Sequence, residues 1–365
     1  IQEQKEVEKM KIFHGMREVA GQAYYSVKGL RENGMDAQLI LRDKSPMAYP
    51  YDRCLHIDRN EKCKLPLFLW KIFVNFIQCS REYEVFHFHS GYTLLPKNLD
   101  LPRLKRKKKR IVLEFHGSDI RDEQIFKEKN QFAERLTLPF NSEQREYLGK
   151  IINRYADEII IHDDELLAHI PGNKMDRVHI VPLRMDLDKF QPVEASSEGE
   201  SVVIAHAPSN RKIKGTIYIE QAVENLAKKY DLEFVLVENM TQEQAIEQYR
   251  RADIVIDQML IGTYGVFAIE TMALGKPVIT YLTEEMQASL PESLPIVSGN
   301  PDTVEQVLEA LIQDKERRVQ LGKAGRAYVE TYHDCNKNAK LLMKIYQGKH
   351  QPKVGREAFE EVVEK

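Results

Sequence analysis

Cysteine is scarce in this 365-residue chain. The four residues, at positions 54, 63, 79 and 335, form no close metal-ligand pair and fall far below the density of a disulfide-built scaffold. A reducing, cytoplasmic setting is the expectation. Long apolar runs are missing too: no stretch of about 20 residues is apolar enough to span a bilayer. The opening IQEQKEVEKMKIFHG has mixed charges and no signal-like apolar segment, so secretion and membrane spanning are disfavoured. Neither sign of charge dominates, because 53 Lys and Arg against 56 Asp and Glu leave a net charge of −3. That balance gives no global case for a nucleic-acid partner, and none is expected; any anion site must be local. What is present is a folding composition, 42% hydrophobic and 8% aromatic, in a chain long enough for two domains of roughly 150 residues.

Apolar strand candidates at Lys11–His14, Ala37–Leu41, Val85–His89, Ile111–Phe115, Ile159–His162 and Val178–Val181 predict a first α/β domain, its parallel sheet covered by crossover helices. From Val181 to Glu200 the chain turns Pro-containing, acidic and Ser-rich, which places a hinge near residues 183–198. A second α/β pattern follows: strand Val202–Ala205, helix Thr216–Lys229, strand Glu233–Val237, helix Gln242–Arg250, strand Ile254–Asp257, helix Val266–Leu274 and strand Pro277–Thr280. Thr303–Tyr332 is helix-rich and charged, with Gly322 and Gly325 set against one uninterrupted helix. The expected domains are residues 10–185, 186–330 and a C-terminal helical part over 331–365.

Four segments carry candidate chemistry. In MREVAGQAYY, Gly21 lets a strand-to-helix loop approach a phosphate or sugar. The three-glycine dinucleotide fingerprint is absent, which leaves a nicotinamide-dependent dehydrogenase unsupported. In EFHGSDI, His116 and Asp119 fall at the carboxyl end of a strand, the ligand-facing edge of an open parallel sheet. A neutral His116 there can donate to a sugar hydroxyl or a diphosphate oxygen while Asp119 orients it or the loop; equally, Asp119 can cap a helix and His116 satisfy a buried backbone group. His87 and His89 alternate with Phe86 and Phe88 as a strand does, and without a third local ligand they read as acceptor-binding or structural rather than as zinc ligands. In HAPSNRKIKGT, Arg211 and Lys214 suit an anion-handling loop, the arginine by directed hydrogen bonds and the lysine by neutralising a leaving diphosphate. In DQMLIGTYGVFAIETMALGKPVI, backbone N–H groups near Tyr264, Gly265 and Val266 can bind a sugar or diphosphate; Glu270 can accept from ribose hydroxyls, and Thr271 can serve the phosphate-facing side.

Together GTYGVFAIETMALGKPVI, HAPSNRKIKGT, VPLRMDLDKFQP and FHGSD resemble the retaining nucleotide-sugar glycosyltransferases of family 4. These have the GT-B fold, two facing Rossmann-like domains with an interdomain cleft. The resemblance implies an acceptor-binding first domain, a donor-binding second domain and C-terminal helices that return to the first. It assigns Glu270 to the donor ribose, Arg211 and Lys214 to the diphosphate, Gly21 to the loop near donor phosphate and His116 to the transferred sugar, with Ser209 and Asn210 in the donor-binding set. The donor it implies is UDP- or GDP-linked. The acceptor is a hydroxyl-bearing glycan, lipid-linked intermediate or small molecule, as in cell-surface polysaccharide synthesis; neither a further cofactor nor a metal is implied. Two departures stand out: a second glutamate belongs eight positions before Glu270, where this chain has Gly262, and Arg211 and Lys214 are closer together than the family spacing. The alternative reading is a noncatalytic nucleotide-sugar-binding regulator or partner subunit. Finally, LPLFLWKIFVNFIQ at 65–78 and LKRKKKR at 104–110 raise peripheral contact at the inner face of a membrane as an expectation.

Overall fold

The computed structural model describes residues 10–44, 47–55, 65–136, 142–172, 174–193 and 201–363. Cys63, the opening nine residues and the 194–198 part of the expected hinge lie outside the described residues.

The chain divides into two compact units. The first comprises residues 1–122, 140–184 and 335–365, the second 123–139 and 185–334. The first is built on seven strands: β1 Lys11–Met16, β2 Asp36–Leu41, β3 Arg53–Cys54, β4 Val85–His89, β5 Arg110–Glu114, β6 Glu158–Ile161 and β7 Val178–Ile180. Their spatial order is β3-β2-β1-β4-β5-β6-β7, parallel throughout. A parallel sheet is covered on both faces, which is why β4 is buried at every position despite its two histidines. Alternation then sorts the strand. Phe86 and Phe88 pack with Phe13 on one face, while His87 and His89 stack with interplanar angle 3° on the other.

The second unit has β8 Val202–His206, β9 Leu232–Leu236, β10 Ile254–Ile256, β11 Val278–Thr280 and β12 Val297–Ser298. They run parallel in the order β12-β11-β10-β8-β9. Its core gathers Ile204, Ile219, Leu226, Ile254, Ile256, Ile279, Leu308 and Leu311. Each unit is thus a Rossmann-like domain, and two such domains in one chain are typical of the GT-B fold.

The chain passes between units at positions 122/123, 139/140, 184/185 and 334/335. Residues 123–139, read from sequence as part of the first domain, group with the second unit, and Cys335–Lys365 with the first. In the first unit the helix Cys335–Tyr346 lies on the helix Gln22–Glu32, joining Leu342 and Ile345 to Val27 and Leu30 in one core. The helical stretch expected over Thr303–Tyr332 is two helices, Val304–Gln313 and Lys315–Tyr332, broken at Asp314. The Asp314 side chain caps the second by accepting from Arg317 N at 2.8 Å. Gly322 and Gly325 do not break it. A Cβ on Gly322 would stand 2.0 Å from Gly275 O, and one on Gly325 would stand 3.1 Å from Met272 Cγ, so these glycines permit close helix approach instead of a turn.

Candidate active site

In the second unit β8 and β10 are neighbours, so the loops leaving their carboxyl ends emerge at one edge of the sheet. At the end of β8, His206 is locked into the scaffold: Nδ1–H donates to Ile256 O at 2.7 Å and Nε2 accepts from the Thr216 hydroxyl at 2.9 Å. Burial pushes its pKa down to about 4. Ser209 is exposed. Asn210 caps the turn Arg211–Lys214, its Oδ1 accepting from Lys212 N at 3.0 Å and Ile213 N at 3.2 Å.

Lys214 Nζ donates to Asp257 Oδ1 at 2.7 Å and Gln258 Oε1 at 2.9 Å. The other oxygen of the buried Asp257 accepts from Gly265 N at 3.1 Å. A Cβ built on Gly265 would lie 3.6 Å from Lys214 Nζ, so the ammonium stands beside the amino end of the helix Val266–Ala273. No side chain caps that end, and the N–H groups of a first helical turn have no intrahelical acceptor. A cation and a helix amino terminus therefore converge on one point. Arg211 is placed differently: it is half exposed and committed to Glu238 (Nη2 to Oε2, 2.6 Å) and Glu220 (Nη1 to Oε1, 3.2 Å).

One turn into the same helix, Glu270 is buried, and burial raises its pKa to about 7; Lys189 opposes the rise and Asp257 adds to it. Among the described residues nothing donates a hydrogen bond to its carboxyl. Thr271, expected on the phosphate-facing side, is spent elsewhere. Its hydroxyl is fully buried and donates to the carbonyls of Phe267 (2.9 Å) and Ala268 (3.1 Å). The Tyr264 side chain likewise points into the unit, with Oη 3.1 Å from His333 Nε2 and 3.3 Å from Tyr328 Oη.

The loop joining β10 to this helix is held from several sides. Gln258 donates to Thr263 O, Thr283 N donates to Gly262 O at 3.0 Å, and Asn130 Nδ2 donates to the carbonyls of Leu260 (2.8 Å) and Ile261 (3.0 Å). Sequence reasoning missed Asn130, which carries no local signal and stands far away in the chain. Gly262 has φ 95°, and a Cβ there would meet Thr283 Cγ2 at 2.6 Å, so the loop as folded has no room for the carboxylate that the resemblance implies at this position.

In the first unit the loop after β1 ends at Gly21, φ 84°, the N-cap of the helix Gln22–Glu32. Glu18, also missed, lies in that loop, accepts from Tyr24 N at 2.8 Å and is raised by burial to about 7. Gln22 and Arg184 exchange hydrogen bonds: Arg184 N–H donates to Gln22 Oε1 at 2.8 Å and Gln22 Nε2 to Arg184 O at 3.1 Å. After β5, Asp119 accepts from the backbone N–H of His116 (3.0 Å) and Gly117 (2.9 Å), so it shapes the loop.

Half-buried His116 is one link in a chain of otherwise buried side chains. Its Nδ1 lies 2.8 Å from His162 Nε2 and its Nε2 3.1 Å from His89 Nδ1; His89 Nε2 continues to His14 Nδ1 at 3.2 Å. His14 Nε2 reaches Tyr346 Oη at 3.0 Å, and that oxygen lies 2.6 Å from His87 Nδ1. Burial holds all five imidazoles below their ordinary pKa. Beneath them Glu114 is ion-paired to the buried Arg184, with His87 Nε2 2.9 Å from Oε2. Burial raises the Glu114 pKa, but Arg184 and the histidines outweigh that and hold it well below the usual range.

Val181 O lies 3.4 Å from His162 Nδ1 at one end of this chain, and the Glu114 carboxylate stands 2.9 Å from His87 Nε2 at the other. Each neutral ring carries one proton and so donates through one nitrogen and accepts through the other. Both nitrogens of His116 are thereby engaged, and the donation to a sugar expected of it finds no spare nitrogen in this arrangement. Ligand atoms of His14, His87 and His89, and of His89, Glu114 and His116, lie within 4.8 Å of one another. The third ligand absent from the local sequence of β4 thus comes from neighbouring strands, although Arg184 already supplies a positive charge to Glu114.

Residues 212–328 match the family model described as Glycosyl transferases group 1; the span takes in Lys214, the Asp257–Gly265 loop and Glu270. No curated protein matches the chain. Among solved structures the chain is similar to sucrose-phosphate synthase from Thermosynechococcus elongatus, with TM-score 0.65 and 16% identity over 93% of this chain and 98% of that one. It is similar also to HepE from Anabaena in complex with UDP, with TM-score 0.64 and 11% identity over 93% and 100% of the two chains. The catalytic domain of starch synthase IV from Arabidopsis thaliana, bound to ADP and acarbose, gives TM-score 0.63 and 11% identity over 93% and 99%. Identities this low speak for the fold. The class defined by the fold is GT-B, with a second domain that holds the segment matching the glycosyl transferases group 1 model.

Proposed function

We propose that this protein is a glycosyltransferase that takes a sugar from a nucleoside diphosphate sugar held by the second unit and passes it to a hydroxyl acceptor served by the first. The observation that carries the reading is the convergence at Gly265: Lys214 Nζ beside an uncapped helix amino terminus, with the unbonded carboxyl of Glu270 one turn further on. A diphosphate matches the cation and the N–H groups, and ribose hydroxyls match a buried carboxyl that lacks donors. The group 1 match over this segment supports it. So do the bound ligands of similar folds, UDP and UDP-glucose with HepE and ADP with starch synthase IV. Because those ligands differ in base, they support a nucleotide sugar as such; the UDP or GDP preference rests on the family resemblance.

The chemistry requires the bond from the anomeric carbon to the diphosphate oxygen to break, an acceptor oxygen to bond to that carbon, and the acceptor proton to leave on the departing phosphate. Charge accumulates on the diphosphate, where Lys214 and the helix N–H groups stabilise it. Retention of configuration by same-face attack follows the family resemblance. Arg211 joins the diphosphate only by leaving Glu238, and His116 reaches a substrate only by releasing His89 or His162. The acceptor class proposed is a glycan or lipid-linked hydroxyl. The Gly262 departure favours a second reading, donor binding without transfer.

Calorimetry with UDP-, GDP- and ADP-linked sugars, followed by anomeric analysis of any product, tests both. Saturable binding with a retained product supports transfer, binding without turnover supports the second reading, and no binding to any donor overturns both.

A further inference from the structure

The helix Leu65–Glu82 buries Ile72, Phe76 and Cys79, yet its other side is just as apolar. Leu67, Trp70 and Val74 recur at helical spacing with Leu69 and Phe73 beside them, and Trp70 is 62% exposed. An exposed apolar stripe of this size marks a binding surface. Its charge says for what. No Asp or Glu occurs from Leu65 to Arg81 or from Leu101 to Arg110. Lys107 Nζ donates to Ser80 Oγ at 2.8 Å, which ties the basic turn to the end of this helix. Lys71, Arg106 and Lys108 are exposed and make no ion pair among the described residues.

We infer that this face docks on an anionic lipid bilayer, the helix lying in the interface with its aromatic and leucine side chains inserted and the basic turn against the headgroups. A second copy of the chain fits less well, since a two-fold contact through this face would bring basic residues together, and the helix has one carboxylate, Glu82 at its last position, to set against them. No helix among the described residues is long and apolar enough to cross a membrane; the surface attaches without spanning. The inference does not depend on sugar transfer.

Trp70 is the only tryptophan of the chain and so reports directly. The test mixes the full-length protein, without nucleotide, with vesicles of phosphatidylcholine alone or with about 30% phosphatidylglycerol at low and high salt. The expected result is sedimentation with the anionic vesicles at low salt, a shift of Trp70 emission to shorter wavelength, and quenching by brominated acyl chains. Phe73→Glu, on an exposed side chain that leaves the fold intact, should weaken vesicle binding by at least about tenfold. Arg106→Ala and Lys108→Ala should each weaken it about fivefold at low salt. The inference is overturned if the protein stays in the supernatant with both vesicles, if it sediments with Trp70 emission unchanged, or if Phe73→Glu instead dissolves a lipid-free dimer that ignores vesicles.

Discussion

Lys214 Nζ lies 2.7 Å from Asp257 Oδ1, and the other oxygen of that carboxylate holds the Gly265 N–H. Asp257 is fully buried and the Lys214 side chain 14% exposed, so one carboxylate positions both the cation and the helix terminus of the proposed donor site. Removing one partner strands the other charge. Lys214→Ala should lower the unfolding midpoint, with a loss of up to about 3 kcal/mol in urea titration, and abolish donor binding. Lys214→Met with Asp257→Asn should recover much of the stability and none of the binding, a separation that parallel urea and calorimetric titrations will show.

Glu270 predicts a pH dependence. Its folded pKa, about 7, is above the ordinary 4.5, so the folded state binds the proton more tightly than the unfolded chain. The resulting stability is fully present below about 4.5 and is lost as pH rises through about 7. Glu270→Gln should therefore leave the melting temperature unchanged near pH 4 and raise it at pH 8, a difference on the order of 3 kcal/mol. Donor affinity should rise through pH 7 in the natural protein as the carboxylate becomes a full acceptor, and be flat in the variant. Calorimetry across that range reads both.

Arg211 and Glu238 make an opposite kind of pair, exposed and screened. Arg211→Ala should leave the melting temperature unchanged and weaken donor binding less than Lys214→Ala does. Glu238→Gln with Glu220→Gln, which releases the guanidinium from both carboxylates, should tighten diphosphate binding; equal affinity in both proteins would show that Arg211 never turns to the donor.

Gly262 tests the meaning of the absent carboxylate. With φ 95° and Thr283 Cγ2 2.6 Å from any Cβ, Gly262→Glu should destabilise the second unit by at least about 1–2 kcal/mol and fail to raise turnover. Gly262→Glu with Thr283→Ser removes the methyl and should regain part of the stability. Differential scanning fluorimetry and a donor-hydrolysis assay distinguish these outcomes.

Glu114 and Arg184 carry the corresponding test for the first unit. Glu114→Gln leaves the Arg184 guanidinium buried beneath five neutral imidazoles, and a cost of about 3–5 kcal/mol in urea titration is expected. Tyr346→Phe, which removes the hydroxyl shared by His14 and His87, should cost about 1–3 kcal/mol.

Local chemistry alone made the two α/β patterns legible, because apolar runs bounded by turn residues recur at strand length. It also made legible the basic loop before Thr216 and the helix that begins after Gly265. Strand ends moved by a residue or two, since pairing with a neighbour sets the last ladder bond. Loop chemistry was legible only as a set of donors and acceptors. The sequence offers Thr271 and Glu270 as equals, and only packing turns the hydroxyl onto its own helix while leaving the carboxyl unbonded.

By itself the sequence determined which residue types meet each sheet edge, and the alternation of Phe86 and Phe88 with His87 and His89, because strand periodicity is a property of the backbone. Tertiary structure alone decided that His14, Glu114, His162, Arg184 and Tyr346 close around those histidines, that Asn130 holds a loop 130 residues away, and that Arg211 faces carboxylates while Lys214 faces the helix terminus. These depend on contacts between segments distant in the chain, and hydrogen-bond partners chosen across a fold leave no trace in local spacing.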